Sequence, residues 1–327
     1  MSKKWKVYVT RQIPHAGIEL LQKECVVLVN PYDRPLTREE LLENIKDADG
    51  VLCLLTDKID VEVFDTAKKA KGFANYAVGY DNMDVEEATK RGIPLSNTPG
   101  VLTDATADMA WALLFAVARR IVEADKFLRS GSWGGWGPMQ FLGADIQGKT
   151  LGIVGAGRIG TAMALKSRGF DMQVLYHDEH KNEVMEEKLG AKQVDMDTLL
   201  KESDFISIHA PLLPSTRHMF DMQAFKKMKN SAYLINTARG PLINESELAT
   251  ALKSGLIAGA GLDVYEFEPK VTEDLLSLNN VVLCPHIASA TTTARTNMAL
   301  IAARNLLAML KGEKAPQCIN PKVYGDN

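Results

Sequence analysis

A glycine-rich segment in the middle of the chain has the residue types and spacing that bind a dinucleotide. The segment Gly155–Gly160 reads GAGRIG and directly follows the apolar run Thr150–Val154. A helical pattern comes next, and a second apolar run, Met172–Tyr176, leads to Asp178. Strand, glycines, helix, strand and acid, in that order, form the dinucleotide-binding βαβ unit. The pattern therefore predicts a cofactor that carries a pyrophosphate.

Each glycine of this segment has its own physical task. Gly155 allows the tight turn between strand and helix, and Gly157 lets the backbone approach the pyrophosphate without a Cβ in between. Gly160 lets the helix pack closely on the strand. The unpaired N–H groups at the start of the helix then face the anion, and the helix dipole favours the same contact.

The charges that follow the second strand favour one form of the cofactor. Asp178 can accept hydrogen bonds from both hydroxyl groups of a ribose, and its charge would repel a 2′-phosphate. Glu179 adds to this repulsion, whereas His180 and Lys181 oppose it. The sequence therefore predicts NAD(H) as the preferred cofactor and NADP(H) as the second choice.

Three further apolar runs each end in side chains that can do chemistry. The first run delivers Arg239, the second delivers Asp263, Glu266 and Glu268, and the third delivers His286. The carboxyl ends of parallel strands lie at one edge of a sheet, and α/β proteins bind ligands there. We therefore expect these side chains at the same edge as the glycine segment.

An arginine, a histidine and a carboxylate at this edge suit hydride transfer between NADH and a 2-oxo acid. A guanidinium binds the substrate carboxylate with two hydrogen bonds and polarises the carbonyl group. An imidazolium protonates the carbonyl oxygen, and a carboxylate behind it orients the ring and favours its protonated form. Arg239 and His286 fill the first two roles. For the third, the residues alone leave both Glu266 and Glu268 open.

The other histidines have simpler explanations. His209 follows an apolar strand, so we expect it to be structural or to lie at the edge of the cofactor site. The remaining four lie in polar or loop-like surroundings, which predicts that they are solvated: His15, His177, His180 and His218.

These residues need an α/β scaffold, and apolar runs alternate with helical patterns along most of the chain. One helical pattern of the leading segment opens with a capping box, Thr37–Glu40. Such alternation predicts parallel sheets with helices on both faces. The strand candidates of the leading segment are Lys6–Thr10, Cys25–Val29, Gly50–Leu55, Gly72–Ala77 and Ile93–Ser96.

A second alternation begins at Thr150 and predicts a dinucleotide-binding domain with six strands. It leaves the last helix, Thr291–Lys311, free to pack on the leading domain. We therefore predict a doubly wound Rossmann domain, residues 101–289, inserted into a smaller flavodoxin-like α/β substrate domain. The substrate domain would consist of residues 1–100 and 290–327.

The segment between the two alternations suggests an interface. The helix expected from Thr103 to Arg120 has little polar face, which predicts burial between domains or subunits. The following segment, Ser130–Pro138, is rich in glycine and contains Trp133 and Trp136. Tryptophans on a loop are costly to leave in water, so they favour a dimerisation arm near residues 120–145. Packing of both rings on their own domain is the alternative.

Composition disfavours several other classes of protein. The chain has 327 residues, of which 46% are hydrophobic and 24% charged, and its net charge is −3. These values are typical of a soluble globular protein and give no reason to expect binding to nucleic acid or a membrane. No apolar run has the length of a membrane span, and the start of the chain lacks the apolar core of a signal peptide. The scattered cysteines predict reduced thiols in the cytoplasm, and the absence of metal-ligand spacing predicts no metal.

Several separated motifs together resemble the D-isomer-specific 2-hydroxyacid dehydrogenases, and most of all the glyoxylate/hydroxypyruvate reductases among them. The resemblance covers nearly the whole chain and implies reduction of a small 2-oxo acid, glyoxylate or hydroxypyruvate, to the D-2-hydroxy acid by NADH. It also implies a homodimer. The motifs are NYAVGYDNMD (75–84), TDATADMAWALL (103–114), KTLGIVGAGRIG (149–160), NTARGPLINE (236–245), AGAGLDVYEFEP (258–269) and PHIASAT (285–291).

The resemblance also implies roles for individual residues. Arg239, Glu268 and His286 match the catalytic set, and the backbone amides of Val78 and Gly79 match the loop that binds the substrate carboxylate. Leu55, together with Leu54, is expected to shape the wall that discriminates among substrates. The residues that match cofactor-binding positions are Thr106, Gly155, Gly157, Arg158, Ile159, Gly160, Asp178, Pro211, Thr216, Thr237 and Asp263, the last as an acceptor for the nicotinamide carboxamide.

Two departures from the family pattern and three alternative functions remain to be weighed. Asp178 stands where NADP-using glyoxylate reductases carry hydroxyl and basic residues, and Ala288 stands where glycine is common. A non-catalytic, NAD(H)-sensing relative of the corepressor type would keep the same catalytic residues. The same fold could also act on 2-ketogluconate or on phosphite. Phosphite is disfavoured because that class carries a lysine where this chain has Val78.

Overall fold

The chain folds into two α/β units, each built on one parallel sheet. The structure, a computed structural model, describes residues 4–325. The described residues up to Leu102 form the first unit together with those from Ala290 onward, and Thr103–Ser289 forms the second. The chain therefore leaves the first unit at Leu102 and returns to it at Ala290.

The first unit contains a sheet with the strand order β2-β1-β3-β4-β5, which is the flavodoxin-like doubly wound order. Its strands are β1 (Trp5–Val9), β2 (Cys25–Val29), β3 (Gly50–Cys53), β4 (Phe73–Asn75) and β5 (Leu95–Ser96). Its first helices are α1 (His15–Gln22), α2 (Arg38–Ile45), α3 (Val61–Thr66) and α4 (Val85–Lys90). The predicted capping box is present, because Thr37 and Glu40 exchange side-chain-to-backbone hydrogen bonds at the start of α2.

The second unit contains a sheet with the order β12-β11-β10-β9-β6-β7-β8, a Rossmann order extended by one strand. Its strands are β6 (Thr150–Val154), β7 (Gln173–His177), β8 (Lys192–Gln193), β9 (Phe205–Ile208), β10 (Tyr233–Asn236), β11 (Gly259–Leu262) and β12 (Val281–Leu283). The sequence predicted six strands, and this sheet has seven. The missed strand, β8, is an edge strand of two exposed residues, so it leaves no apolar run in the sequence.

The helices of the second unit cover its sheet. They are α5 (Thr103–Ala118), α6 (Ile121–Arg129), α7 (Arg158–Lys166), α8 (Glu183–Leu189), α9 (Met196–Glu202), α10 (Met222–Lys227), α11 (Glu245–Lys253) and α12 (Glu273–Leu276). One face of α5 packs on β10, β11 and α7 of its own unit, and the burial of the helix between domains or subunits stays a prediction. An added Cβ at Gly261 would lie 2.9 Å from the Cβ of Leu113, so sheet and helix are in close contact.

The last helix, α13 (Thr292–Lys311), packs on α1 and belongs to the core of the first unit. An added Cβ at Gly17 would lie 2.8 Å from the Cβ of Ala299, which is closer than real Cβ atoms approach one another. The side-chain amide of Asn305 donates a hydrogen bond of 3.1 Å to the carbonyl oxygen of Asn97. The C-terminal helix is thus part of the unit that the N-terminal residues form.

The segment after α6 projects two large apolar side chains. Trp133 and Trp136 are 53% and 85% exposed. The end of this segment is fixed, since the N–H of Ala144 donates a hydrogen bond of 2.9 Å to the carbonyl oxygen of Ala118. The alternative in which both rings pack on their own domain is therefore not what the structure shows. Within residues 4–325, no helix is long and apolar enough to cross a membrane.

Candidate active site

The glycine segment forms the turn between β6 and α7, and two of its glycines are required by their own surroundings. Gly155 has a φ of 90°, and an added Cβ there would lie 2.5 Å from the backbone nitrogen of Ala210. An added Cβ at Gly160 would lie 2.1 Å from the carbonyl oxygen of Gly155. Both positions therefore need glycine for the turn to form at all.

Gly157 differs, because no atom of the described chain lies within 4 Å of the Cβ it lacks. It is the N-cap residue of α7, and no side chain caps the helix there. The N–H groups of Arg158 and Ile159 lie in the first turn, where a helix has no carbonyl partners for them. This open, uncapped helix start fits a pyrophosphate group.

A buried threonine, Thr237, supports the fit of a dinucleotide in this unit. The Thr237 hydroxyl follows β10 and is buried without a hydrogen-bond partner among the described residues. A buried hydroxyl without a partner is costly, so its position favours a ligand that supplies one. Thr106, on α5, is 4% exposed.

Asp178 stands at the end of β7, beside the glycine turn. Its Oδ2 accepts a hydrogen bond of 2.7 Å from the N–H of Ala156, and its Oδ1 accepts one of 3.0 Å from the N–H of His180. Each carboxylate oxygen has a further lone pair, so the side chain retains acceptor capacity for ribose hydroxyls. Lys181, the first lysine after Asp178 in the sequence, forms an ion pair of 2.9 Å with Glu186.

The segment after β9 contains the other cofactor-binding residues that the sequence predicted. Thr216 donates its hydroxyl to the carbonyl oxygen of Pro211 at 2.7 Å and accepts the N–H of Leu213 at 2.8 Å. The threonine therefore shapes this turn, and Pro211 is exposed within it. His209 hydrogen-bonds Ser207 at 2.9 Å, and burial lowers the pKa of His209 to about 3. Its ring is consequently neutral near pH 7 and structural.

Three neighbouring strands end at the same level and deliver the predicted catalytic residues. Asn236 pairs with Leu262, and Leu262 pairs with Leu283, so the last residues of β10, β11 and β12 are in register. Arg239 follows β10, Glu268 follows β11 and His286 follows β12. Equal strand ends bring the three loops to one edge of the sheet, as predicted for parallel strands.

His286 and Glu268 form a hydrogen-bonded pair at this edge. Nδ1 of His286 lies 2.9 Å from Oε2 of Glu268, and the other oxygen of Glu268 accepts the N–H of Tyr265 at 3.1 Å. The two side chains are 28% and 30% exposed, so solutes can reach the ring. Nε2 is then the ring nitrogen left for a substrate.

Charges around Glu268 keep it ionised. Burial raises its pKa, but the hydrogen bond and charge of His286, the N–H of Tyr265 and the charge of Arg239 outweigh burial and hold the pKa below its ordinary value. Gly240 permits the approach of the two loops, since an added Cβ there would overlap the carbonyl group of Tyr265.

The backbone of His286 adopts a left-handed conformation, with a φ of 54°, which non-glycine residues rarely take. Asp263 holds it there. The carbonyl oxygen of Asp263 accepts the N–H of His286 at 2.9 Å, and its two carboxylate oxygens accept the N–H groups of Ile287 and Ala288, each at 2.7 Å. Burial raises the pKa of Asp263, although the two amide donors oppose the shift.

These contacts give Asp263 a positioning role besides the one that the sequence predicted. The residue is 0% exposed, and its two carboxylate oxygens hold the backbone that carries His286. Its contact with a nicotinamide carboxamide stays a prediction. The sequence shows that Asp263 follows a strand and precedes His286. It does not show that the Asp263 carboxylate accepts hydrogen bonds from the amides of residues 287 and 288.

Glu266, which the sequence left open as a partner of the catalytic histidine, contacts a different one. Its Oε1 lies 2.6 Å from Nε2 of His218 and 3.2 Å from a guanidinium nitrogen of Arg217. The Glu266 side chain is only 6% exposed. The prediction that His218 is solvated was therefore wrong, because this buried carboxylate holds its ring.

The predicted substrate-binding residues of the first unit follow two neighbouring strands. Leu55 lies in the turn after β3, and Val78 and Gly79 lie in the loop after β4. All three are partly exposed. The side-chain amide of Asn82 ties the two loops together, since it donates to the carbonyl oxygens of Leu54 and Asp57 at 3.1 and 2.9 Å.

The chain has extensive similarity to known proteins. Residues 111–288 match the model of the family "D-isomer specific 2-hydroxyacid dehydrogenase, NAD binding domain". The glyoxylate reductase of Thermococcus litoralis is 54% identical over 324 residues, which are 97% of each chain. The glyoxylate reductase of Korarchaeum cryptofilum is 49% identical over 320 residues, 97% of this chain and 96% of the relative.

Solved structures agree with these sequence relatives. A protein of Thermus thermophilus superimposes with a TM-score of 0.89 at 42% identity, covering 96% of this chain and 99% of its own. The NADPH-dependent glyoxylate/hydroxypyruvate reductase of Sinorhizobium meliloti, solved with NADP and malonate, gives 0.85 at 32% identity over 97% of each chain. The chain therefore belongs to the D-isomer specific 2-hydroxyacid dehydrogenases, enzymes with a Rossmann-type domain for a nicotinamide dinucleotide.

Proposed function

We propose that this enzyme reduces glyoxylate or hydroxypyruvate to the D-2-hydroxy acid and that it prefers NADH. The observation that carries the proposal is the His286–Glu268 hydrogen bond of 2.9 Å, at a strand edge where Arg239 follows the neighbouring strand β10 and which also carries the glycine turn. The names of the relatives from Thermococcus litoralis and Korarchaeum cryptofilum support glyoxylate as the substrate.

Each residue of the set has a distinct task in this proposal. When bound, the cofactor supplies the hydride. Nδ1 of His286 is engaged by Glu268, so Nε2 donates the proton to the carbonyl oxygen of the substrate and takes it back in the reverse direction. The Arg239 guanidinium binds the substrate carboxylate and polarises the carbonyl group. In the first unit, the amides of Val78 and Gly79 are the groups proposed to bind a carboxylate.

The preference for NADH rests on the charges after β7. Asp178 presents a carboxylate beside the glycine turn, and a 2′-phosphate at the same place would be repelled. The two basic residues that weakened this inference do not oppose it strongly. Lys181 is paired with Glu186. Nδ1 of His180 lies 3.9 Å from Oδ1 of Asp178, but the His180 side chain is 90% exposed, so solvent screens the contact.

We also propose a homodimer in which the segment around Trp133 and Trp136 contacts the second subunit. Both side chains are largely exposed, and Leu128, Met139 and Leu142 nearby are exposed as well. Contiguous apolar surface of this kind is typical of protein interfaces.

Steady-state kinetics with His286→Ala test the proposed function. Wild type should oxidise NADH with glyoxylate, hydroxypyruvate or both, whereas the variant should lose at least about 100-fold in kcat because the general acid is missing. NADH binding, followed by fluorescence titration, should be unchanged. The matched control is His15→Ala, whose side chain is 72% exposed and should not matter. A wild type that binds NADH but reduces none of a panel of 2-oxo acids would indicate a sensor of the corepressor type.

The variant Glu268→Gln should slow reduction. The lowered pKa of Glu268 means that it is an anion across the working pH range, and an anion stabilises an imidazolium at His286. The neutral amide stabilises it less, so kcat should fall by about tenfold or more while NADH binding is retained. Glu266→Gln serves as the control, because Glu266 contacts His218 instead, and an equal loss there would refute the pairing.

The variant Asp178→Asn tests the cofactor preference. Loss of the charge weakens the acceptor for ribose hydroxyls and removes the repulsion of a 2′-phosphate, so KM for NADH should rise about tenfold while KM for NADPH falls. Asp195→Asn is a matched control, since Asp195 caps α9 in the same unit by accepting the N–H of Thr198 at 2.8 Å. A wild type that already favours NADPH contradicts the assignment.

Sedimentation velocity tests the dimer. One chain has a mass of 35.9 kDa, and the expected particle has twice that mass. Trp136→Arg should raise the dissociation constant of the dimer by placing a charge in an apolar contact. Leu276→Arg, at a site 63% exposed outside the segment, should leave it unchanged. A wild-type mass of one chain excludes the proposal.

A further inference from the structure

The loop after β4 has three successive peptide carbonyls that are held by hydrogen bonds from the protein. The carbonyl oxygen of Ala77 accepts the N–H of Thr98 at 2.8 Å. The carbonyl oxygen of Val78 accepts the side-chain amide of Asn97 at 2.7 Å, and that of Gly79 accepts the side-chain amide of Asn75 at 3.1 Å. Three consecutive peptide planes are therefore fixed by donors.

Fixing these carbonyls also fixes the N–H groups of the same planes. In a trans peptide the N–H points opposite to the C=O. The N–H groups of Val78, Gly79 and Tyr80 are therefore turned away from the donors that hold the loop. None of the three donates a hydrogen bond to another residue within 4–325. Successive backbone N–H groups without protein acceptors form an anion-binding concavity.

The two asparagines are themselves fixed. Asn75 is 0% exposed, and its amide also donates to the side-chain oxygen of Asn82 at 3.0 Å. The carbonyl oxygen of Asn97 accepts from Asn305 of α13, and its N–H donates to the carbonyl oxygen of Gln317 at 3.3 Å. The C-terminal part of the chain thus helps to hold the loop. Side-chain amides can donate without a net charge, so they orient the loop without repelling an anion.

We infer that Asn75 and Asn97 are positioning residues for the substrate carboxylate, and that the N–H of Tyr80 joins those of Val78 and Gly79 in binding it. The inference rests on the proposed function for the identity of the ligand, the carboxylate of a small 2-oxo acid. Asn75 and Asn97 act only through the loop, so their loss changes substrate binding more than turnover.

The experiment uses Asn97→Asp, which keeps the shape of the side chain but replaces the donor to the Val78 carbonyl with an acceptor. KM for glyoxylate should rise at least about tenfold, while kcat and the dissociation constant of NADH stay near wild type. Binding of oxamate, an unreactive isostere of a 2-oxo acid, to the NADH complex should weaken by the same factor in calorimetry. Asn97→Ser removes the side-chain amide without adding a charge. It should likewise raise KM and leave kcat near wild type.

Asn30→Asp is the matched control. The Asn30 side chain is also buried in the first unit, 2% exposed, and its amide donates to the carbonyl oxygens of Thr10 and Arg34 at 3.0 and 3.1 Å. Oxamate affinity should be retained in this variant. Folded Asn97 variants with wild-type oxamate affinity would overturn the inference, as would an equal loss in the control. If the Asn97 variants lose oxamate affinity but wild type reduces no 2-oxo acid, the proposed function fails and the inferred anion site is retained.

Discussion

The shared level at which β10, β11 and β12 end is the constraint on which the candidate site depends. Because the last residues of these strands pair in register, the loops that follow them start from one line along the sheet edge. Short loops can then bring an arginine, a glutamate and a histidine together without long excursions of the chain. A shift of one residue in any strand would turn its side chains to the opposite face and separate the set.

Four carboxylates lie close together in this region, and each has its own donors. Glu268 accepts from His286, Glu266 from His218 and Arg217, and Asp263 from backbone amides. Glu245, 2% exposed, accepts from the backbone N–H of Glu266 and from Thr272. Because their donors are separate, the four carboxylates do not compete for one cationic side chain. The histidine at the solvent-accessible edge therefore faces a single carboxylate.

Much of the fold could be predicted from the sequence because its strands are short apolar runs between helical patterns. The Rossmann unit, the capping box at Thr37 and the glycine turn all follow from local patterns. The two-residue strand β8 could not be found, since exposed edge residues carry no apolar signal. The packing of α5 on its own sheet was also missed, because an apolar helix does not reveal which surface covers it.

The candidate site shows the same limit in sharper form. Residue types and strand ends predicted Arg239 and His286, but they left Glu266 and Glu268 open, since the two lie on one short loop. The family resemblance favoured Glu268, and the coordinates supply the physical reason, its hydrogen bond with His286. Asp263 holds His286 through backbone amides, which almost every residue type has. The identity of the neighbouring residues therefore does not indicate this contact. The fixed loop at Val78–Gly79 likewise depends on Asn97, which lies 19 residues from its acceptor along the chain.

The open space at Gly157 separates the requirements of the fold from those of the ligand, which coincide at the other glycines of the turn. Gly155 and Gly160 are fixed by contacts within the chain, so a change there alters the fold before it alters any ligand. Gly157 has no such contact, so the protein without ligand would accept a methyl group at that position. Beyond the general preference of a helix N-cap for glycine over alanine, selection for glycine there comes from the bound molecule. The turn thus contains one position at which a lineage could abandon its cofactor and still keep its architecture.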